Sequence, residues 1–161
     1  MTKRRVIIFI ASVLLPLVTA HAATSRDKDS ATYQAGAVTL IPQAGGYSNI
    51  NNSTLKALME QGVIVVDIRR KEEWIQTGIL QGSKTITFFD QHGRVNPDFV
   101  TDFTAAVEPE DAVILICRTG NRTQAVSQAV AQQLGFQKVM NVTDGITAWI
   151  AENRPVSKYR D

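Results

Sequence analysis

Cys117 is the single cysteine of the chain, and Arg118, Thr119, Gly120, Asn121, Arg122 and Thr123 follow it directly. A thiol acts as a nucleophile only as its thiolate, so chemistry here depends on what favours the negative charge. The flanking pattern supplies that. The apolar run 112–116 reads as a strand ending at the cysteine, Gly120 permits a tight loop, and 122–134 reads as a helix. Strand, loop and helix in this order aim successive backbone N–H groups, and the positive end of the helix, at one point. Arg118 and Arg122 add guanidiniums, and the Thr119 and Thr123 hydroxyls are placed to donate to the sulfur. Arg122 at a helix start opposes the helix dipole, which suits an arginine compensated by a nearby anion. Free cysteine is among the most buried residue types, and loop arginines are often only solvated. A position between a strand end and Gly120 nevertheless argues against burial in an apolar core. The expectation is a reactive thiolate in an anion cradle, with Arg118 at its entrance.

The segment Cys117 to Thr123 resembles the active-site loop of rhodanese-like sulfurtransferases: a cysteine, four intervening residues, an arginine and a hydroxyl residue. The tyrosine-phosphatase type of cradle places one residue more between cysteine and arginine. The shorter ring implies room for an added sulfur rather than a tetrahedral phosphate. The resemblance extends over about residues 50–156. Asp67-x-Arg69 with Glu73-Trp74 is similar to the family's first signature, 77–83 stands in place of its Gly-His-Ile-x-Gly-Ala segment, and 144–149 is similar to its closing Gly-Gly-x-x-x-Trp. Two positions depart: the histidine of the middle segment is missing, and Asp144 replaces the first closing glycine. Aspartate tolerates a left-handed backbone better than most residues, so the fold is expected to survive this change. Facing the pocket, Asp144 would repel an anionic donor such as thiosulfate.

The resemblance implies an α/β fold, a parallel sheet of about five strands with helices on both faces. It implies an enzyme of the thiosulfate sulfurtransferase type, working through a Cys117 persulfide and needing neither metal nor organic cofactor. Two alternatives stay open: a carrier that binds persulfide or anions without turnover, and, with less support, phosphatase or arsenate-reductase chemistry. Asp67 and Arg69 are expected to pair structurally at a strand end rather than to touch substrate. His92 has no cysteine or histidine partner and makes no convincing metal site.

The elements that must position the loop are legible in outline. Asn51, Asn52 and Ser53 offer capping side chains, Leu55, Leu58 and Met59 recur at helical spacing, and Gly62 closes the turn. Residues 63–66 are continuously apolar and β-branched, as in a strand covered on both faces. Helix is expected at 71–76, strand near 85–88, helix at 98–107, strand at 139–142 and a last helix from 146–151. Phe88, Phe89 and Asp90 follow a strand end and are placed to border a pocket. Strands alternating with helices predict a parallel sheet, whose ligands sit beyond the carboxyl ends of the strands.

Residues 1–22 read as a secretory signal: Lys3, Arg4 and Arg5, an apolar core of thirteen residues from 6 to 18, and Ala20-His21-Ala22 as a cleavage site. A membrane span needs about 20 apolar residues, so no stable membrane anchor is expected. Removal lowers Lys plus Arg from 17 to 14 against 15 Asp plus Glu, a net charge near −1, and no basic patch implies nucleic acid. Residues 23–46 are expected to form a flexible leader, with a short strand or a segment packed on the domain left open for 38–41, and 47–161 the domain. The expected product is secreted, into the periplasm. Its expected partners are a small sulfur-containing anion or thiol and, in addition, a protein sulfur acceptor.

Overall fold

The computed structural model describes residues 38–160. The expected signal at 1–22, and 23–37 of the leader, lie outside the described residues. The strands are β1 (Ile41–Pro42), β2 (Tyr47–Ile50), β3 (Ile64–Asp67), β4 (Lys84–Thr85), β5 (Ala112–Ile116) and β6 (Lys138–Val142). The helices are α1 (Asn52–Glu60), α2 (Lys71–Thr77), α3 (Phe99–Ala106), α4 (Asn121–Gln133) and α5 (Gly145–Ala151). One sheet runs in the order β1-β2-β6-β5-β3-β4, parallel throughout except for β1, which pairs antiparallel with β2.

The expected parallel sheet of about five strands is present as β2 to β6, and a sixth, antiparallel strand adds to its edge from residues upstream of 47. The Gln43 N–H donates to the Tyr47 carbonyl at 2.8 Å and the Gly46 N–H to the Gln43 carbonyl at 3.1 Å. This turn lays Ile41–Pro42 along β2, and Pro42, lacking an N–H, is tolerated because the strand is at the edge. Further upstream, the Thr39 N–H donates to Thr54 Oγ1 at 3.1 Å. Residues 38–46 thus pack onto the domain, as the open alternative for 38–41 allowed.

Period-two alternation along the central strands builds two cores. Val66, Val113, Leu115 and Val139 face Phe99 and Phe103 of α3 and Val126 and Val130 of α4. Val65, Ile114, Ile116, Met140 and Val142 face the other way, into a cluster with Leu55 and Leu58 of α1 and Ile146 and Trp149 of α5. Burial on both sides is why these strands read as unbroken apolar runs. Each fully buried Leu or Ile contributes about 1.5–3 kcal/mol, so β5 at the centre of the sheet is a rigid base for whatever follows it. The strand expected at 85–88 is shorter. The N–H groups of Ile86 and Phe88 still donate to the Asp67 and Ile68 carbonyls, at 3.0 and 3.1 Å, before the chain turns away. Phe88 packs edge-on against both Phe89 and Phe99, which draws the segment off the sheet edge.

Candidate active site

Cys117 follows β5, between the ends of β3 and β6, and Gly120 begins α4 in a left-handed conformation with φ of 84°. A side chain at Gly120 is barred twice. The positive φ strains any other residue, and a Cβ there would sit 1.8 Å from the Thr143 carbonyl oxygen. Gly145 performs the matching service from α5: a Cβ would lie 2.5 Å from the Arg118 backbone. Without it, the start of α5 comes close enough for the Ile146 N–H to donate to the Cys117 carbonyl at 2.9 Å. The Thr147 N–H and Oγ1 likewise donate to the Arg118 carbonyl, at 3.1 and 2.8 Å. The carbonyls at the base of the loop are thus held outward by α5. Among the described residues, no backbone carbonyl accepts from the N–H groups of residues 118 to 122. They remain donors for an anion.

Thr123 Oγ1 lies 3.4 Å from Cys117 Sγ and 2.9 Å from the Gly120 carbonyl, to which it donates. The structure corrects one expectation. Cys117 has 0% of its surface exposed and belongs to the apolar cluster that includes Ile68, Ile86 and Val126. The thiol is buried instead of opening to solvent, and Cys117 is not among the residues that line the neighbouring cleft. Above the loop is a cleft of about 490 Å³ lined by Arg118, Thr119 and Arg122, by Arg70 and Glu73, and by the 89–93 turn. Asn121 is exposed, and Thr123 is buried with the sulfur.

Asp144 does not line this cleft, and it does not use a left-handed backbone. Its φ is −104° and ψ 0°, an ordinary helical conformation, so the exchange of glycine for aspartate carries no strain. The acids at the cleft are Glu73 and Asp90. Phe89 and Asp90 border it, and the Arg94 N–H, its guanidinium and the His92 N–H hold the Asp90 carboxyl below the usual range.

Arg122 donates through both outer nitrogens to Glu73, at 2.8 and 2.6 Å. Burial pushes the Glu73 carboxyl up. The hydrogen bonds from Arg122 and from the Arg70 N–H, with the charges of Arg122 and Arg69, outweigh that and leave its pKa lowered. Arg122 is raised in turn, first by its hydrogen bonds to Glu73, against burial, with further support from the charges of Glu73 and Cys117. Glu73 is the site residue that sequence reading missed. It lies 49 positions from Arg122, and its motif neighbourhood was the only signal available.

Asp67 and Arg69 are buried and grip each other. Arg69 Nε donates to Asp67 at 2.9 and 3.0 Å and Nη2 at 2.6 Å. The remaining guanidinium donors reach Thr77 Oγ1 at 2.6 Å and the Gly78 carbonyl at 2.7 Å. These bonds fasten the end of α2 to the end of β3, and α2 is the helix that presents Glu73. Among the described residues, no group of three or more His, Cys, Asp or Glu side chains could hold a metal ion.

A family model described as the rhodanese-like domain matches residues 51–152. The chain belongs to the rhodanese-like family. It is 27% identical over 115 residues to thiosulfate sulfurtransferase 18 of Arabidopsis thaliana, covering 68% of this chain and 82% of that one. It is 30% identical over 103 residues to thiosulfate sulfurtransferase GlpE of Pseudomonas aeruginosa, covering 64% and 84%. Among solved structures it resembles a rhodanese-related protein of Thermoplasma volcanium, with a TM-score of 0.57 and 26% identity, covering 69% of this chain and 98% of that one.

Proposed function

We propose that this chain is a sulfurtransferase that moves a sulfane sulfur from a donor such as thiosulfate to a thiophilic acceptor, cyanide or a thiol, through a persulfide on Cys117. The observation that carries the reading is the loop itself: free backbone N–H groups between Cys117 and Arg122, with a hydroxyl 3.4 Å from the sulfur. The Cys117 thiolate attacks the outer sulfur of thiosulfate, the S–S bond breaks, and sulfite leaves with the electron pair. The loop donors then hold the charged persulfide in surroundings of low dielectric, where such bonds are strongest. The acceptor attacks the terminal sulfur, the new S–S bond breaks, and the thiolate returns. Sulfite is a stable leaving anion, so no general acid is required. The sulfur is covered, so a donor reaches it only when the atoms over it shift.

The order of basic, apolar and small residues in 1–22 supports export with cleavage after Ala22, which would place the activity in the periplasm. There a protein thiol could serve as acceptor.

Incubation with thiosulfate should add one sulfur to Cys117 by mass spectrometry, and cyanide should then release thiocyanate. Cys117→Ser should abolish both. It should lower the melting temperature by no more than about 5 °C, because the Thr123 hydroxyl remains as a hydrogen-bond partner. No added sulfur on the unsubstituted protein with any sulfane donor would refute the reading.

A further inference from the structure

Arg122 lies close enough to Cys117 for the charge of a thiolate there to favour the guanidinium. Both of its outer nitrogens are nevertheless taken by Glu73, at 2.8 and 2.6 Å. Glu73 does not hang freely there. It also accepts from the Arg70 N–H at 3.1 Å, and the helix that carries it is tied down by Arg69 through Thr77 and Gly78. At the inner end of the cleft, then, a fixed carboxylate cancels much of the positive charge that a small oxyanion would seek. The outer end differs. Arg118 is exposed on the wall, and the Arg70 guanidinium, with 37% of its side chain exposed, makes only loose ion pairs, at 3.8 Å to Glu73 and 3.9 Å to Glu72. A cleft of about 490 Å³ is also far roomier than a four-oxygen-sized anion needs.

We propose that Glu73 is a specificity-determining residue: by occupying Arg122 it sets the site against small oxyanionic donors and toward an organic persulfide, R–S–SH, whose carboxylate-bearing body is held at Arg70 and Arg118. This rests on the sulfurtransferase reading. In the loading step the Cys117 thiolate attacks the outer sulfur, the R–S bond to that sulfur breaks, and RS⁻ leaves with the electron pair. The outer sulfur, with its proton, stays on Cys117. The chemistry is that of thiosulfate loading, but the charge arriving beside Glu73 is smaller and the bulk of the negative charge stays at the outer arginines.

Two measurements on the full chain test it. In the first, loading of Cys117 by thiosulfate and by glutathione persulfide is compared. Glu73→Gln should raise the thiosulfate-to-persulfide ratio of kcat/KM at least about tenfold, since a carboxylate facing an incoming anion is removed. In the second, Cys117 is alkylated with iodoacetate, an anion, and with iodoacetamide, its neutral analogue, a comparison that needs no sulfur transfer. The iodoacetate-to-iodoacetamide rate ratio should likewise rise about tenfold in Glu73→Gln. Glu73→Asp keeps the charge and should stay within about threefold of the unsubstituted protein in both ratios. Unchanged ratios in Glu73→Gln would overturn the proposal. So would a Glu73→Asp that behaves like Glu73→Gln, which would mean lost packing, or a thiol that neither reagent alkylates in any variant. A shifted alkylation ratio in a protein that no sulfane donor loads would leave the charge effect of Glu73 standing and sink the sulfurtransferase reading alone.

Discussion

Arg69 and Arg122 are both held by carboxylates in two-pronged contacts, yet the two pairs sit in different surroundings. Asp67 and Arg69 are 0% and 1% exposed at the side chain, lie two positions apart, and every guanidinium nitrogen of Arg69 finds an acceptor. Glu73 and Arg122 are 14% and 27% exposed, join α2 to α4 across the cleft, and border space that a substrate could enter. A buried pair with all its donors satisfied has one arrangement and a high cost for any other. A partly exposed pair keeps contact with water, so it adds little to folding stability while its charges still face whatever enters the cleft. The same side-chain chemistry therefore serves to fasten α2 at one end and to govern access to the sulfur at the other, and burial decides which.

The comparison can be broken most forcefully at the buried pair. Asp67→Ala leaves the Arg69 charge without its partner, and unfolding in denaturant should show a loss of about 3–5 kcal/mol. A loss below about 1 kcal/mol would mean that Arg69 relaxes to solvent and that the two pairs are alike after all. Next in size is the coupling between Glu73 and Arg122. A double-mutant cycle to alanine should return about 0.5–1 kcal/mol of coupling in stability, while the same variants change the rate and donor preference of Cys117 loading. Coupling as large as the effect of Asp67→Ala would make the cleft pair a structural clamp.

How far the sequence carries the reader differs between these regions for physical reasons. The alternation of strands and helices, the central position of β5 and the loop after it follow from apolar periodicity and glycine placement, which act locally. Asp67 and Arg69 are neighbours in the chain, so their pairing could be expected. The Glu73–Arg122 contact depends on how α2 and α4 approach, and nothing in a linear pattern measures that distance. The edge strand Ile41–Pro42 is legible only as one of the options for 38–41, because two residues are too few for a period and its pairing rests on the turn at 43–46. The burial of Cys117 is not legible in the sequence because the loop's polarity describes its exposed residues, Arg118, Thr119 and Asn121, while Cys117 itself packs in the cluster with Ile68, Ile86 and Val126. The tolerance of aspartate for a left-handed backbone is not called on at Asp144, because Gly145, at φ of 60°, takes the positive φ of that pair.

The smallest expected effect concerns acid. The Glu73 carboxyl is lowered in the folded protein, chiefly because the hydrogen bonds of Arg122 and the Arg70 N–H prevail over burial. A lowered folded-state pKa means that the unfolded chain binds the proton more readily. The contribution of Glu73 to stability is thus complete above the unfolded glutamate range, about pH 4.3, and fades as pH falls through the lower folded value. Comparing the unfolding free energies of the unsubstituted protein and Glu73→Gln should show a difference of up to about 1 kcal/mol at pH 6 that shrinks as pH falls below the unfolded glutamate range. A difference that grew on acidification would require a folded pKa above the unfolded one, with burial prevailing over Arg122. The cleft pair would then resemble an isolated buried acid more than a half-exposed ion pair, and the contrast with Asp67 and Arg69 would have to be drawn on other grounds.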